Sequence, residues 1–186
     1  MPTSLADGKT KLAILATKPA DPKAPTLAEL NAGIEASCRI LSNDYNVGPT
    51  SSETIDEKPL CVEGNVQVPG PSNYTAEFSA FRYFDELTGK AEEGAAGTAD
   101  EAEIGDAVFQ AVKQKGTRLW LVERETSLES TKPWTEGDEV SVYEVLTDNP
   151  QKPGDSGGYI KRRIVTLVQD AWLNAEVAEG SGSGNP

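Results

Sequence analysis

Gly154-Asp155-Ser156-Gly157-Gly158 sets a serine between an aspartate and glycines, a setting in which a hydroxyl can attack a carbonyl while backbone amides stabilise the oxyanion. Such a hydroxyl needs a base to take its proton, and histidine ordinarily supplies it. The chain contains no histidine. Lys152 or Lys161 would be the remaining base, yet neither sits in surroundings that would strip its charge. The segment reads instead as a turn whose Asp, Ser and Gly supply the backbone conformations, and no catalytic residue is assigned.

Other chemistry is thinner. Glu92 with Glu93, and Asp100 with Glu103, are paired carboxylates of the kind that divide general acid and base work, but no polar or aromatic cluster accompanies them. Asn43-Asp44-Tyr45-Asn46 and Asp148-Asn149 offer oxygen ligands without the alternating spacing and distal Glu of a calcium loop. Gly94 and Gly97 precede a helix that lacks the Lys-Ser/Thr ending of a phosphate loop. Cys38 and Cys61 are the only cysteines, and two thiols without histidine do not complete a structural zinc site. They are expected as buried thiols, with a bridge between neighbouring strands left open. No cofactor and no metal is expected.

The elements that would position these residues belong to a globular chain with an acidic surface. Its 186 residues suit one domain with a sizeable core, and 25% charged against 37% hydrophobic residues is an ordinary soluble mixture. The net charge of -13 disfavours direct phosphate binding. Leu12 to Ala16 is the longest apolar run near the start and Lys18 interrupts it, so neither a signal peptide nor a membrane span is expected.

Residues 98–116 read as an acidic helix. Thr98 and Glu101 form a capping box, Asp100, Glu101 and Glu103 suit the positive end of the dipole, and Gly116 is the left-handed stop after Lys113 and Lys115. Ile104, Ala107, Val108, Ala111 and Val112 share one face, which must lie on a sheet. In the strand at 117–124, Leu119 and Leu121 oppose Trp120 and Val122, so both faces of its middle should be covered. Further strands are expected at 11–16, 34–41, 73–84, 140–146 and 160–168, with a short helical segment at 27–31 and a final strand or arm from 171 to 178. Residues 42–71 form a long Gly, Pro and acid-rich stretch, either a hairpin or a projecting loop, and 180–186 has linker composition.

The order Lys115-Gly116-Thr117-Arg118-Leu119-Trp120-Leu121-Val122, followed by Gly137-Asp138-Glu139-Val140-Ser141-Val142-Tyr143, resembles the major tail tube protein of long-tailed bacteriophages, particularly those of actinobacteria. Pro25-Thr26-Leu27-Ala28-Glu29-Leu30-Asn31-Ala32-Gly33-Ile34-Glu35-Ala36-Ser37-Cys38 is similar to the segment those proteins carry after their first strand, and the resemblance spans roughly residues 1–178. It implies a mainly β fold, a β-sandwich or barrel with one flanking helix, a long loop at 42–71 and an arm at 170–179. It also implies a subunit that stacks as hexameric rings into a tube for genomic DNA, in the company of a tape measure protein and tail terminator or baseplate proteins. On that reading Glu53, Asp56, Glu57 and Glu77 are candidates to face the lumen, where carboxylates would let a duplex slide without binding. Ile55, Leu60, Val66, Trp172 and Leu173 are candidates for contacts between rings. The alternative is a monomeric acidic β-sandwich that recognises a surface or carbohydrate, with Trp120, Trp134, Tyr143 and Tyr159 as an aromatic platform.

Overall fold

A computed structural model describes residues 5–55, 57–61, 63–64, 67–92, 94, 104–154 and 157–179. In chain order the elements are β1 (Thr10–Leu15), α1 (Leu27–Asn31), β2 (Ile34–Glu35), β3 (Asn46–Thr50), β4 (Thr54–Ile55), β5 (Val68–Pro69) and β6 (Asn73–Phe81). After these come α2 (Ala107–Val112), β7 (Arg118–Glu125), β8 (Glu139–Thr147) and β9 (Lys161–Glu176). Strands take 42% of the described residues and helices 11%, so the sheet and not helix packing builds the core, as the sequence predicts.

Seven strands form one antiparallel sheet in the order β2-β1-β7-β8-β9-β6-β3, and β4 with β5 makes a separate small hairpin. A single stretch joins the two edges of the large sheet. Ile34 and Glu35 pair with β1 and the Ala36 amide donates to Leu12. Only a few residues later Ile40 bridges Ala80 and the Leu41 amide donates to Ser79, after which β3 runs along β6. The sheet is therefore curled into a barrel whose seam is this stretch, which leaves few unpaired edges.

Alternation along the strands makes two cores. Leu12, Ile14, Phe78, Leu119, Leu121, Tyr143, Val145 and Ile164 point inward and are buried together with Ile104, Val108 and Val112 of the α2 region. Ala13, Leu15, Trp120, Val122, Val140, Val142 and Ala175 point outward and are covered by Leu30 of α1 and by Trp134. Both faces of β7 are thus buried, as its pattern predicts. The outer cover is clamped by charge. Lys11 and Arg124 are partners in the register of β1 and β7, both are buried, and both lie over the Trp134 ring, at 5.2 and 5.4 Å from its centroid.

α1 carries a capping box: the Glu29 amide donates to Thr26 Oγ1, and the Glu29 carboxylate accepts from the Thr26 amide at 2.8 Å. The other helix differs from its sequence reading. Thr98, Asp100, Glu101 and Glu103 lie outside the described residues, and α2 starts at Ala107 with Asp106 in the cap position. Gly105 adopts φ 51, and a Cβ there would come 2.9 Å from the Glu92 carbonyl, so no helix passes through it. Gly116 does take the left-handed conformation, at φ 81.

Two strands also differ. The segment expected as a strand from 34 to 41 is a strand only at Ile34 and Glu35, then turns through a 3-10 turn at Ser37–Arg39 and meets β6 by the single bridge of Ile40 to Ala80. Ser37 drives this, because its hydroxyl accepts from the Leu12 amide at 2.9 Å and donates to the Glu35 carboxylate. Residues 161–176 form one strand. Along β8 its register slips between the pairs Glu144↔Asp170 and Val145↔Val168, and again between Val140↔Ala175 and Val142↔Trp172. Each slip is a bulge that turns the following side chains to the other face, and Asn174 in the second takes φ 55.

Candidate assembly surfaces

Several of the residues that suggest catalysis lie outside the described residues. Asp155 and Ser156 lie outside the described residues, and Lys152 is exposed in the loop before β9. Of the paired carboxylates, Glu93, Asp100 and Glu103 lie outside the described residues. The calcium candidates are committed elsewhere. Asp44 accepts from the Ser79 amide and hydroxyl, and Asp148 pairs with Lys115 at 3.1 Å while accepting from the Asn149 amide. Among the described residues no cluster of three or more His, Cys, Asp or Glu is placed to hold a metal ion. Cys38 and Cys61 are both exposed thiols, which corrects the expectation of burial.

The aromatic platform is also dismantled. Trp120, Trp134 and Tyr143 are core residues at 7%, 7% and 1% exposure, and Tyr159 alone of the four is open to solvent, at 82%. Its ring meets Phe81 edge-on at 5.8 Å between centroids.

The candidate contact residues fall in two places. Glu53, Ile55, Glu57 and Leu60 belong to the hairpin of β4 and β5, where Thr54 pairs with Pro69 and Ile55 with Val68. All four are exposed there, while Asp56 and Val66 lie outside the described residues. The neck of the hairpin is tight: the Gly70 amide donates to the Glu53 carbonyl at 2.6 Å. Glu77 is separate from it, on the outer face of β6, and accepts from Arg163 Nη2 at 2.6 Å, so its charge is matched within the chain. Trp172 and Leu173 sit on the second half of β9, away from the hairpin. Trp172 packs against the outer core with Lys18 5.5 Å from its ring centroid, and Leu173 keeps 39% of its surface exposed at the bulge.

Three long-range arrangements escape sequence reasoning. Tyr45 reaches across the barrel interior to Glu123. Burial, and then the neighbouring Glu123 charge, push the Tyr45 hydroxyl well above the usual tyrosine value, and burial likewise raises Glu123. Arg82 lies between two aromatic rings, 4.6 Å from the Phe84 centroid and 3.9 Å from that of Phe109. It also holds Asp106 through two nitrogens at 2.9 and 3.0 Å. Lastly, Lys152, Pro153, Gly158, Tyr159, Ile160 and Arg162 line a groove of about 290 Å³ at the start of β9. Runs of bases and an isolated Tyr-Ile pair were the only signal for that groove in the sequence.

No helix among the described residues is long and apolar enough to cross a membrane. No curated protein matches the chain. A family model for phage tail tube protein matches residues 1–181, nearly the whole sequence. With a curled antiparallel sheet, a flanking helix and an exposed hairpin, the chain belongs to the phage tail tube protein family, whose members are structural parts of the virion tail.

Proposed function

We propose that this chain is the repeating subunit of a phage tail tube, assembling in the host cytoplasm into stacked hexameric rings. Those rings form an acidic conduit through which genomic DNA passes during infection. The match of the family model over residues 1–181 carries this reading. Closing a ring requires a heterologous interface that repeats by rotation, and stacking requires a second contact along the axis. The hairpin offers exposed Ile55, Leu60 and Val68 for one such contact, and Leu173 offers a smaller apolar surface elsewhere. A tape measure protein inside the tube and terminator or baseplate proteins at its ends are the expected partners.

The charge supports the conduit. A surplus of 13 acids repels phosphate, so a duplex could slide without the counterion-releasing contacts that make nucleic-acid binding strong. Glu53 and Glu57 are better placed for this than Glu77, because Arg163 already neutralises the latter. Electron microscopy of concentrated purified protein tests the proposal. Rings and tubes with a bore lined mainly by carboxylates are expected, whereas a protein that stays monomeric at every concentration, or a bore lined by Lys and Arg, overturns it.

A further inference from the structure

The hairpin and the groove stand at opposite ends of one strand. β4 and β5 leave the sheet just before Asn73, where β6 begins, and the groove lies beside Phe81, where β6 ends. Nine residues of extended chain separate these points by roughly 26 Å, so the hairpin of a molecule does not fill its own groove.

Their chemistry matches. Residues 53–69 carry the acids Glu53, Asp56, Glu57 and Glu63 against the single base Lys58. Residues 150–163 carry the bases Lys152, Lys161, Arg162 and Arg163 against the single acid Asp155, in a chain that is otherwise strongly acidic. Arg163 is matched by Glu77 within the chain, so the two stretches keep net charges of opposite sign, negative at the hairpin and positive at the groove. Apolar groups accompany both: Ile55, Leu60 and Val68 are exposed on the hairpin, and Tyr159 and Ile160 are exposed at the groove. Arg162 is half-buried on the groove wall with its guanidinium donating to the Lys161 carbonyl, which fixes its position.

We infer that the groove lined by Lys152, Tyr159, Ile160 and Arg162 receives the β4–β5 hairpin of a second copy of this chain. The contact is heterologous and runs along β6, so each copy that donates a hairpin still offers a groove, and the association repeats. Charge complementarity sets its register and rejects the reversed orientation, in which hairpin would meet hairpin. The inference rests on the tube-subunit reading and names the surfaces through which one copy follows the next.

Charge reversal tests it. One variant carries Lys152→Glu and Arg162→Glu, and a second carries Glu53→Lys and Glu57→Lys. Each should raise the concentration needed for polymerisation at least about tenfold, because like charges now face each other. An equimolar mixture should assemble again, since acidic hairpins find basic grooves and basic hairpins find acidic ones. A chain bearing all four reversals should assemble alone. Either two-site variant polymerising at the wild-type concentration, or a mixture as unassembled as its parts, overturns the inference while leaving the tube reading intact. Failure of the wild-type chain to polymerise at all overturns both.

Discussion

The Tyr45 hydroxyl donates to Glu123 Oε1 at 2.8 Å across the interior of the barrel, from the seam that closes the sheet to a strand at its centre. Glu123 shares the inward face with Leu119 and Leu121, and burial raises its carboxyl above the ordinary value. The folded state therefore holds its proton more tightly than the unfolded chain, and stability falls as pH rises through the raised folded value. Glu123→Gln keeps an acceptor for Tyr45 without the charge. It should unfold at a higher denaturant concentration than wild type at neutral pH, with the gain vanishing below the ordinary glutamate pKa of about 4.3. Urea titrations across that range measure the difference. Equal midpoints at pH 7 would show that Glu123 costs the fold nothing.

Arg124 behaves in the opposite sense. Its guanidinium is buried, donates to Asp138 Oδ2 at 2.8 Å and to the Pro133 carbonyl at 2.9 Å, and holds the cover over the outer core. Burial alone would raise the Asp138 carboxyl, but hydrogen bonds from Arg124 and from Thr135 outweigh it and leave it lowered. That stabilisation is complete above the ordinary aspartate pKa of about 3.9 and is lost as pH falls through the lowered folded value. Arg124→Met should cost about 3–5 kcal/mol at pH 7, because it strands Asp138 without its cation. In the Asp138→Asn background the same change should cost less, and a double-mutant cycle by chemical unfolding reads the coupling.

Neither pair was legible in the sequence, and the reason is distance along the chain. Tyr45 and Glu123 are 78 residues apart, and nothing local marks one for the other. Periodicity did find the two-sided burial of β7 and the apolar face of α2, because Leu119 to Val122 alternate and Ala107, Val108, Ala111 and Val112 keep helical spacing. It failed where one residue broke the repeat. Gly105 stops a helix that the spacing carries through it, Ser37 ends β2 by capturing the Leu12 amide, and the bulges split β9 into what reads as two segments. Trp134 was missed as core because its cover depends on two cations from other strands. The groove is not legible locally, since Ile160 reads as a strand start and it is the bridge of Gln151 to Arg163 that pairs the loop with β9.

Arg82 ties the end of β6 to α2, and a lysine should not replace it. Lys keeps the charge but cannot grip Asp106 through two nitrogens while holding a planar cation against both Phe84 and Phe109. Arg82→Lys should lower stability by about 1–3 kcal/mol and raise amide exchange in α2 more than in β7. An exchange profile that rises evenly over the chain would place the role of Arg82 elsewhere.

Gly70 separates assembly from folding. A Cβ there would lie 2.8 Å from the Glu53 carbonyl, the oxygen that its own amide already contacts, so Gly70→Ala forces the neck of the hairpin apart. The hairpin lies outside the seven-stranded sheet, and none of its described residues belongs to either buried core. The melting temperature should therefore stay within about 2 °C of wild type, as for a surface change that leaves the core intact. Polymerisation should weaken, because the hairpin that carries Glu53 and Ile55 no longer holds the geometry that the groove accepts. Differential scanning calorimetry and sedimentation on the same sample measure the two effects. A large loss of thermal stability would show that the hairpin is part of the folding unit, and unchanged polymerisation would show that its shape does not matter to assembly.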